Sequence, residues 1–103
     1  MRIASIIAMA SVALLSASAV QADEAALNKA GCMACHAKDK KLVGPSFKDI
    51  AAKYKGQDAA AALAQKVRSG GKGVFGPIPM PPNPPEKISD ADLKEGVGWI
   101  LKQ

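Results

Sequence analysis

The sequence predicts an all-α fold with about four helices, from helical spacing, helix-end signals and the lack of any segment that alternates convincingly as a β-strand. The clearest spacing is that of Phe47, Ile50, Ala51 and Tyr54, which fall at i, i+3, i+4 and i+7. These four residues therefore share one face of a helix. The clearest end signal is at residues 89–92, where Ser-Asp-Ala-Asp resembles a capping box before an apolar stripe.

The four helices follow from these signals in chain order. We expect them at Asp23 to Ala30, from Phe47 until a stop at Gly56, at about Asp58 to Arg68, and from the capping box onward through Leu93, Val97, Ile100 and Leu101. The last helix contains Gly96 and Gly98, each of which costs about 1 kcal/mol relative to Ala in a helix. A close approach of another helix would explain both glycines.

The first 22 residues have the pattern of a secretory signal. Arg2 supplies a positive start, an apolar run extends from Ile3 to Val20, and Val20 and Ala22 suit a signal peptidase. We therefore expect cleavage after Ala22, export to the periplasm and no stable membrane insertion of the product. An uncleaved anchor is the alternative, because about 18 apolar residues can just span a bilayer. Residues 23–103 would form one small domain, and domains of this size usually need a bound group or cross-link.

The chain is basic, with a formal net charge of +5. Such a balance is typical of proteins that bind nucleic acid, acidic lipid or acidic proteins. Export argues against nucleic acid, as do the single arginine left after cleavage, Arg68, and the absence of aromatic residues among the lysines. An acidic protein partner is the prediction.

Residues 32–36, Cys-Met-Ala-Cys-His, form a C-x-x-C-H motif, which indicates attachment of a c-type haem. Two thiols three residues apart on a helical turn can add to the two vinyl groups on one edge of a porphyrin. The adjacent His36, the only histidine of the chain, then reaches the iron. The motif predicts one covalent haem c, attached through Cys32 and Cys35.

Two other functions of such a motif each require a feature that this sequence does not show. A thioredoxin-like thiol pair requires a βαβ context, and a structural zinc site requires four ligands where Cys32, Cys35 and His36 supply three. A copper carrier that uses Cys and Met sulfur stays open as an alternative, because soft ligands suit Cu(I). A disulfide between Cys32 and Cys35 would close a very small loop and stabilise the chain little.

The second axial ligand follows by elimination, because haem iron in c-type proteins is held by His or Met. Residues 23–103 hold two methionines. Met33 lies between the two cysteines and cannot reach across the ring, which leaves Met80. Met80 lies in the segment from Gly70 to Pro85, which has four glycines and six prolines. We interpret this segment as an ordered loop rather than a disordered linker, and Met80 as an iron ligand rather than a core filler.

On these motifs the chain resembles the small class I monohaem cytochromes, specifically the bacterial cytochrome c-551/c-552 group. The resemblance covers residues 23–103, and its most specific parts are the C-x-x-C-H motif, Val-Gly-Pro at 43–45 and the stretch 73–83. It implies four helices wrapped around the haem, axial ligation by His36 and Met80, and crossing of the first and last helices with Leu27 near Trp99.

The resemblance also implies roles around the haem. The Pro45 carbonyl would accept a hydrogen bond from the His36 ring, and Asn83 would help to hold the Met80 side. Phe75 stands where relatives often carry Trp, so a propionate contact is not carried over to it. Lys66 and Arg68 are candidate propionate partners, and residues 84–87 look like an insertion.

The predicted function is that of a monomeric electron carrier between respiratory redox partners, and not of an enzyme. With both axial positions filled by protein, iron has no open site. A haem enzyme or gas sensor is the main alternative, in which Met80 is weak or absent as a ligand. The lysines expected to flank the haem edge would steer an acidic partner or form an ordinary solvated face, and they are Lys38, Lys40, Lys41 and Lys72.

Overall fold

The computed structural model describes residues 22–103, so all but the last residue of the predicted signal lies outside the described residues. Within that range the chain forms four α-helices and no named β-strand, which confirms the all-α prediction. The helices are α1 (Ala22–Lys29), α2 (Phe47–Lys53), α3 (Ala60–Ser69) and α4 (Asp90–Leu101). None of the helices in this described range is both long and apolar enough to cross a bilayer.

The helix ends follow from local hydrogen bonds. The Ser89 hydroxyl accepts a hydrogen bond from the Asp92 backbone N–H at 3.2 Å, so the predicted N-cap of α4 is confirmed. A second cap of the same kind, from the Asp49 N–H to the Ser46 hydroxyl at 3.0 Å, starts α2. Gly31, just beyond α1, has a φ of 83°, the left-handed conformation that often ends a helix.

Helix α4 is the centre of the fold, because each of the other three helices packs against it. Its buried residues include Leu93, Val97, Trp99 and Ile100, and they join residues of α1 and α2 in one core. The Trp99 ring meets the Phe47 ring edge to face, with centroids 5.6 Å apart. This core lies directly behind the functional site.

The two glycines of α4 have different surroundings. A Cβ added to Gly96 would lie 2.7 Å from the Leu27 side chain of α1, so the absence of a side chain lets the two helices approach closely. A Cβ added to Gly98 would meet no atom within 4 Å. The prediction that another helix approaches closely is therefore confirmed for Gly96 and wrong for Gly98.

Candidate haem-binding site

One open cavity brings the predicted haem residues together. It encloses about 1330 Å³ of space, part of it open to solvent, and Cys32, Cys35, His36 and Met80 all line it. Apolar side chains of the four helices form part of the remaining wall, among them Leu27, Phe47, Ile50, Leu63, Val97 and Ile100, and the loops before α2 and after α3 form the larger part. A large, apolar cavity with a few sulfur and nitrogen donors is suited to a flat, apolar cofactor.

A single 3₁₀ turn, Cys32–Ala34, with Cys35 directly after it, positions the two thiols. The backbone N–H groups of Cys35 and His36 both donate to the Cys32 carbonyl, at 3.2 and 3.0 Å. This turn holds the thiols and the imidazole on consecutive positions of one tight segment. Both cysteines are free and half-buried, and burial raises the pKa of the Cys32 thiol, so its sulfur is protonated at neutral pH.

The orientation of His36 is fixed by its neighbours. Its Nδ1 lies 2.7 Å from the Pro45 carbonyl oxygen. A carbonyl can only accept, so Nδ1 donates and the neutral ring has an unprotonated Nε2, the form that binds a metal. The Phe47 ring stacks on the imidazole at a centroid distance of 5.3 Å and an angle of 21°.

Gly44 allows the loop before α2 to run against the imidazole. A Cβ at this position would lie 2.6 Å from His36 Cε1 and 2.9 Å from Nδ1, closer than real Cβ contacts come. The loop is held there because the Gly44 N–H donates to the Cys35 carbonyl at 2.8 Å. The sequence analysis used residues 43–45 as a family signature and did not assign this steric role.

Met80 is placed by two reciprocal backbone hydrogen bonds with Gly71. The Gly71 N–H donates to the Met80 carbonyl at 3.0 Å, and the Met80 N–H donates to the Gly71 carbonyl at 2.8 Å. Gly70 has a φ of 70°, and a Cβ there would overlap the Met80 carbonyl oxygen. The sequence analysis counted Gly70 and Gly71 only among the four glycines of the segment, so their part in holding Met80 was missed.

Asn83 fixes the chain just after Met80. Its side chain is buried, and its amide donates to the carbonyls of Val67 at 3.2 Å and Pro81 at 3.1 Å. Its backbone N–H also donates to the end of α3, to the Val67 carbonyl at 3.1 Å. These bonds join the exit of the loop to helix α3.

Arg68 does not line the cavity. Its guanidinium donates instead to the carbonyls of Asn83 at 3.1 Å and Ile88 at 2.7 Å, and it pairs with the Asp90 carboxylate. The suggestion that Arg68 binds a propionate is therefore wrong, because its donors point to the connection between the loop and α4. Lys66, two residues earlier in α3, does line the cavity.

The rim of the cavity is basic and apolar. Lys41 and Lys72 line it, whereas Lys38 and Lys40 are exposed in the adjoining loop. Phe75 is 39% exposed, and the Lys53 ammonium lies 5.8 Å from its ring centroid, within the range of a cation–π contact.

The residues present fit a haem. Two unpaired thiols lie on one turn, the imidazole has its Nε2 available, and a thioether stands on the wall of the same apolar cavity. His and Met donors are those that c-type haem iron takes. This donor set, on an all-α scaffold, defines a c-type cytochrome.

Comparison with known proteins supports the conclusion that this is a c-type cytochrome. A family model described as cytochrome c oxidase, cbb3-type, subunit III, matches residues 19–100. The chain is 57% identical over 75 residues to cytochrome c2 of Rubrivivax gelatinosus, covering 72% of this chain and 88% of that one. It is 53% identical over 74 residues to cytochrome c-551 of Pseudomonas aeruginosa, covering 71% and 68%. The crystal structure of Nitrosomonas europaea cytochrome c552 aligns with a TM-score of 0.70 at 49% identity, covering 76% and 95%.

The chain belongs to the class I monohaem c-type cytochromes of bacteria, in the group of cytochromes c-551 and c-552. It therefore carries one covalently attached haem c and is a small electron-carrier protein rather than an enzyme. The chain covers most of the length of these small relatives, so the oxidase named in the family model is not carried over to it.

Proposed function

We propose that the protein is a periplasmic electron carrier in which His36 and Met80 are the axial ligands of haem iron and Cys32 and Cys35 form its thioethers. The observation that carries the proposal is that all four side chains line one cavity. The bound haem supplies an iron centre that gains or loses one electron.

The two cysteines act as reduced thiols. Cys32 and Cys35 would each hold the haem through a thioether, formed by net addition of the S–H across a vinyl C=C, with sulfur on one carbon, hydrogen on the other and no oxidant required. Their free state and their position on one turn support this role.

His36 is the proximal ligand in this proposal. Its hydrogen bond to Pro45 selects the tautomer and increases the basicity of Nε2. The stacked Phe47 ring and the close approach of Gly44 restrict rotation of the imidazole. The ring is thus oriented before any metal is bound, which lowers the entropy lost on ligation.

Met80 is the distal ligand, held by Gly71 on one side and followed by the buried Asn83. A thioether favours ferrous iron and raises the reduction potential. With His36 and Met80 in both axial positions, the protein leaves no place for a substrate on the metal. Electron exchange would then take place through the open side of the cavity, with no bond made or broken at iron.

The partners in this proposal are acidic redox proteins of a respiratory chain, met in transient complexes by a monomer. The excess of lysine and the basic rim at Lys41 and Lys72 support an electrostatic encounter. The apolar run at residues 3–20 supports export, and cleavage after Ala22 would leave residues 23–103 as the haem domain.

Intact mass spectrometry of the protein from the periplasmic fraction tests export and attachment together. We expect the mass of Asp23–Gln103 plus one haem, and a haem that resists extraction with acidified acetone because two thioethers hold it. A precursor-length mass would contradict the export proposal, and extractable haem would contradict the attachment.

A further inference from the structure

The Arg68 side chain joins three parts of the chain that are distant in sequence. It starts from the last turn of α3, donates to the Asn83 and Ile88 carbonyls, and pairs with Asp90 in the first turn of α4. The Arg68 side chain is only 17% exposed, whereas that of Asp90 is 93% exposed. The two carbonyl bonds are therefore made in a shielded environment, where hydrogen bonds from a charged donor are strongest.

The two carbonyls stand on either side of residues 84–87, the segment that looked like an insertion. Within it the Lys87 N–H donates to the Pro84 carbonyl at 2.9 Å, which closes a turn. Arg68 thus ties the residue before this turn, Asn83, to the residue after it, Ile88. Residues 84–87 therefore form a closed turn between the segment that carries Met80 and α4.

We propose that Arg68 is a positioning residue for Met80, and that it keeps the thioether on iron by holding the exit of the loop against α3. The inference rests on the proposed axial role of Met80. Only two residues, Pro81 and Pro82, separate Met80 from Asn83, and as prolines they make that link stiff. A displacement of Asn83 is therefore passed to Met80 rather than absorbed between them.

Arg68 should therefore control the fraction of molecules in which Met80 has left the iron, here called the open protein. An external ligand such as imidazole reaches ferric iron only in molecules in which Met80 has left. The apparent affinity for that ligand is therefore proportional to the fraction of open protein, and it is weak when that fraction is small. Loss of Arg68 should raise this fraction and tighten imidazole binding.

The test is imidazole titration of the ferric holoprotein, followed by its visible spectrum, with helix content checked by circular dichroism. We expect Arg68→Met to tighten binding at least about tenfold, equivalent to about 1.4 kcal/mol, because hydrogen bonds from a charged group are lost. Arg68→Lys, which keeps the charge but not the forked geometry, should tighten imidazole binding at least about threefold.

Asp90→Asn should change the imidazole affinity less than about fivefold and less than Arg68→Met does, because that carboxylate is exposed. Lys55→Met, which removes an exposed positive charge, is the control and should leave the affinity unchanged.

A second pair of variants separates this inference from the proposal beneath it. In a Met80→Ala background no thioether has to leave, so adding Arg68→Met should alter imidazole affinity by less than about twofold. Equal affinities for wild type, Arg68→Met and Lys55→Met would overturn the inference, as would a tightening that persists in the Met80→Ala background. If Arg68→Met does not fold, Arg68→Lys decides alone, and an unchanged affinity overturns the inference. If Met80→Ala itself binds imidazole no more tightly than wild type, the axial role of Met80 is what has failed.

Discussion

The two walls of the cavity are built in different ways. The attachment segment (residues 31–47) is backed by the core, because His36 stacks on the buried Phe47, which in turn meets Trp99 of α4. The Met80 loop (residues 70–83) has exposed residues from Gly71 to Pro79, and hydrogen bonds at its two ends hold it. The His36 wall is thus fixed by packing, whereas the Met80 wall depends on a few long-range bonds. We expect the Met80 wall to open first.

The largest expected effect comes from removing the haem that both walls share. Leu27, Val97 and Ile100 belong to the core and also line the cavity, so an empty cavity exposes part of the core to water. We expect a Cys32→Ala, Cys35→Ala variant to lose most of its helical circular dichroism. Ala34→Ser, at an exposed position of the same turn, is the control and should keep haem and helix. Near-native helix content with a cooperative thermal transition in the double variant would contradict this prediction.

Replacing one glycine of each wall by alanine tests whether the two walls respond differently. Gly70→Ala places a Cβ against the Met80 carbonyl, and Gly44→Ala places one 2.6 Å from His36 Cε1. Each should cost about 1–3 kcal/mol of unfolding free energy, measured with denaturant. Only Gly70→Ala should increase the affinity of the ferrous protein for CO, because only that change displaces Met80.

Gly73→Ala is the matched control for Gly70→Ala. Gly73 also has a positive φ, 105°, but a Cβ there meets no atom within 4 Å. It should show the backbone strain without the displacement of Met80, and hence little change in CO affinity. If Gly44→Ala and Gly70→Ala raise CO affinity equally, the two walls are not independent.

The smallest expected effect concerns the surface beside the attachment segment. Replacing Lys38, Lys40 and Lys41 by Gln should flatten the fall in electron-transfer rate to an acidic redox protein as salt is added, because screening then has less attraction to remove. The control makes the same change in charge at exposed lysines that do not line the cavity, namely Lys29, Lys94 and Lys102. Stopped-flow rates at increasing ionic strength measure both. Identical salt profiles for the two triple variants would mean that Lys38, Lys40 and Lys41 are only solvated surface.

The sequence predicted the parts of the molecule whose causes are local. The spacing around Phe47 and the cap at Ser89 act within a few residues, so the fold class and the helices could be predicted from the chain alone. The attachment motif is also local, since one turn sets both thiols and His36. The elimination that selected Met80 as the candidate ligand needed only a count of residue types.

Most of the features that escaped prediction depend on contacts between distant segments. Gly44 and Gly70 have steric reasons that exist only when the loops return to His36 and Met80. The cap at Ser46 is local, and Ser followed three residues later by Asp could have indicated it. Arg68 was a candidate partner of a haem propionate, whereas its observed partners are Asn83, Ile88 and Asp90, which lie 15 to 22 residues away along the chain.

The central claim, that Met80 closes the iron and makes this protein a carrier, is tested most directly by CO binding to the ferrous holoprotein. We expect wild type to be low-spin and to bind CO poorly, because a thioether on the stiff Met80 loop occupies the sixth position. Met80→Ala should admit CO readily and lower the reduction potential, since the ligand that favours ferrous iron is gone. If wild type binds CO as fast and as tightly as Met80→Ala, the sixth position is open, and a ligand-binding function replaces the carrier.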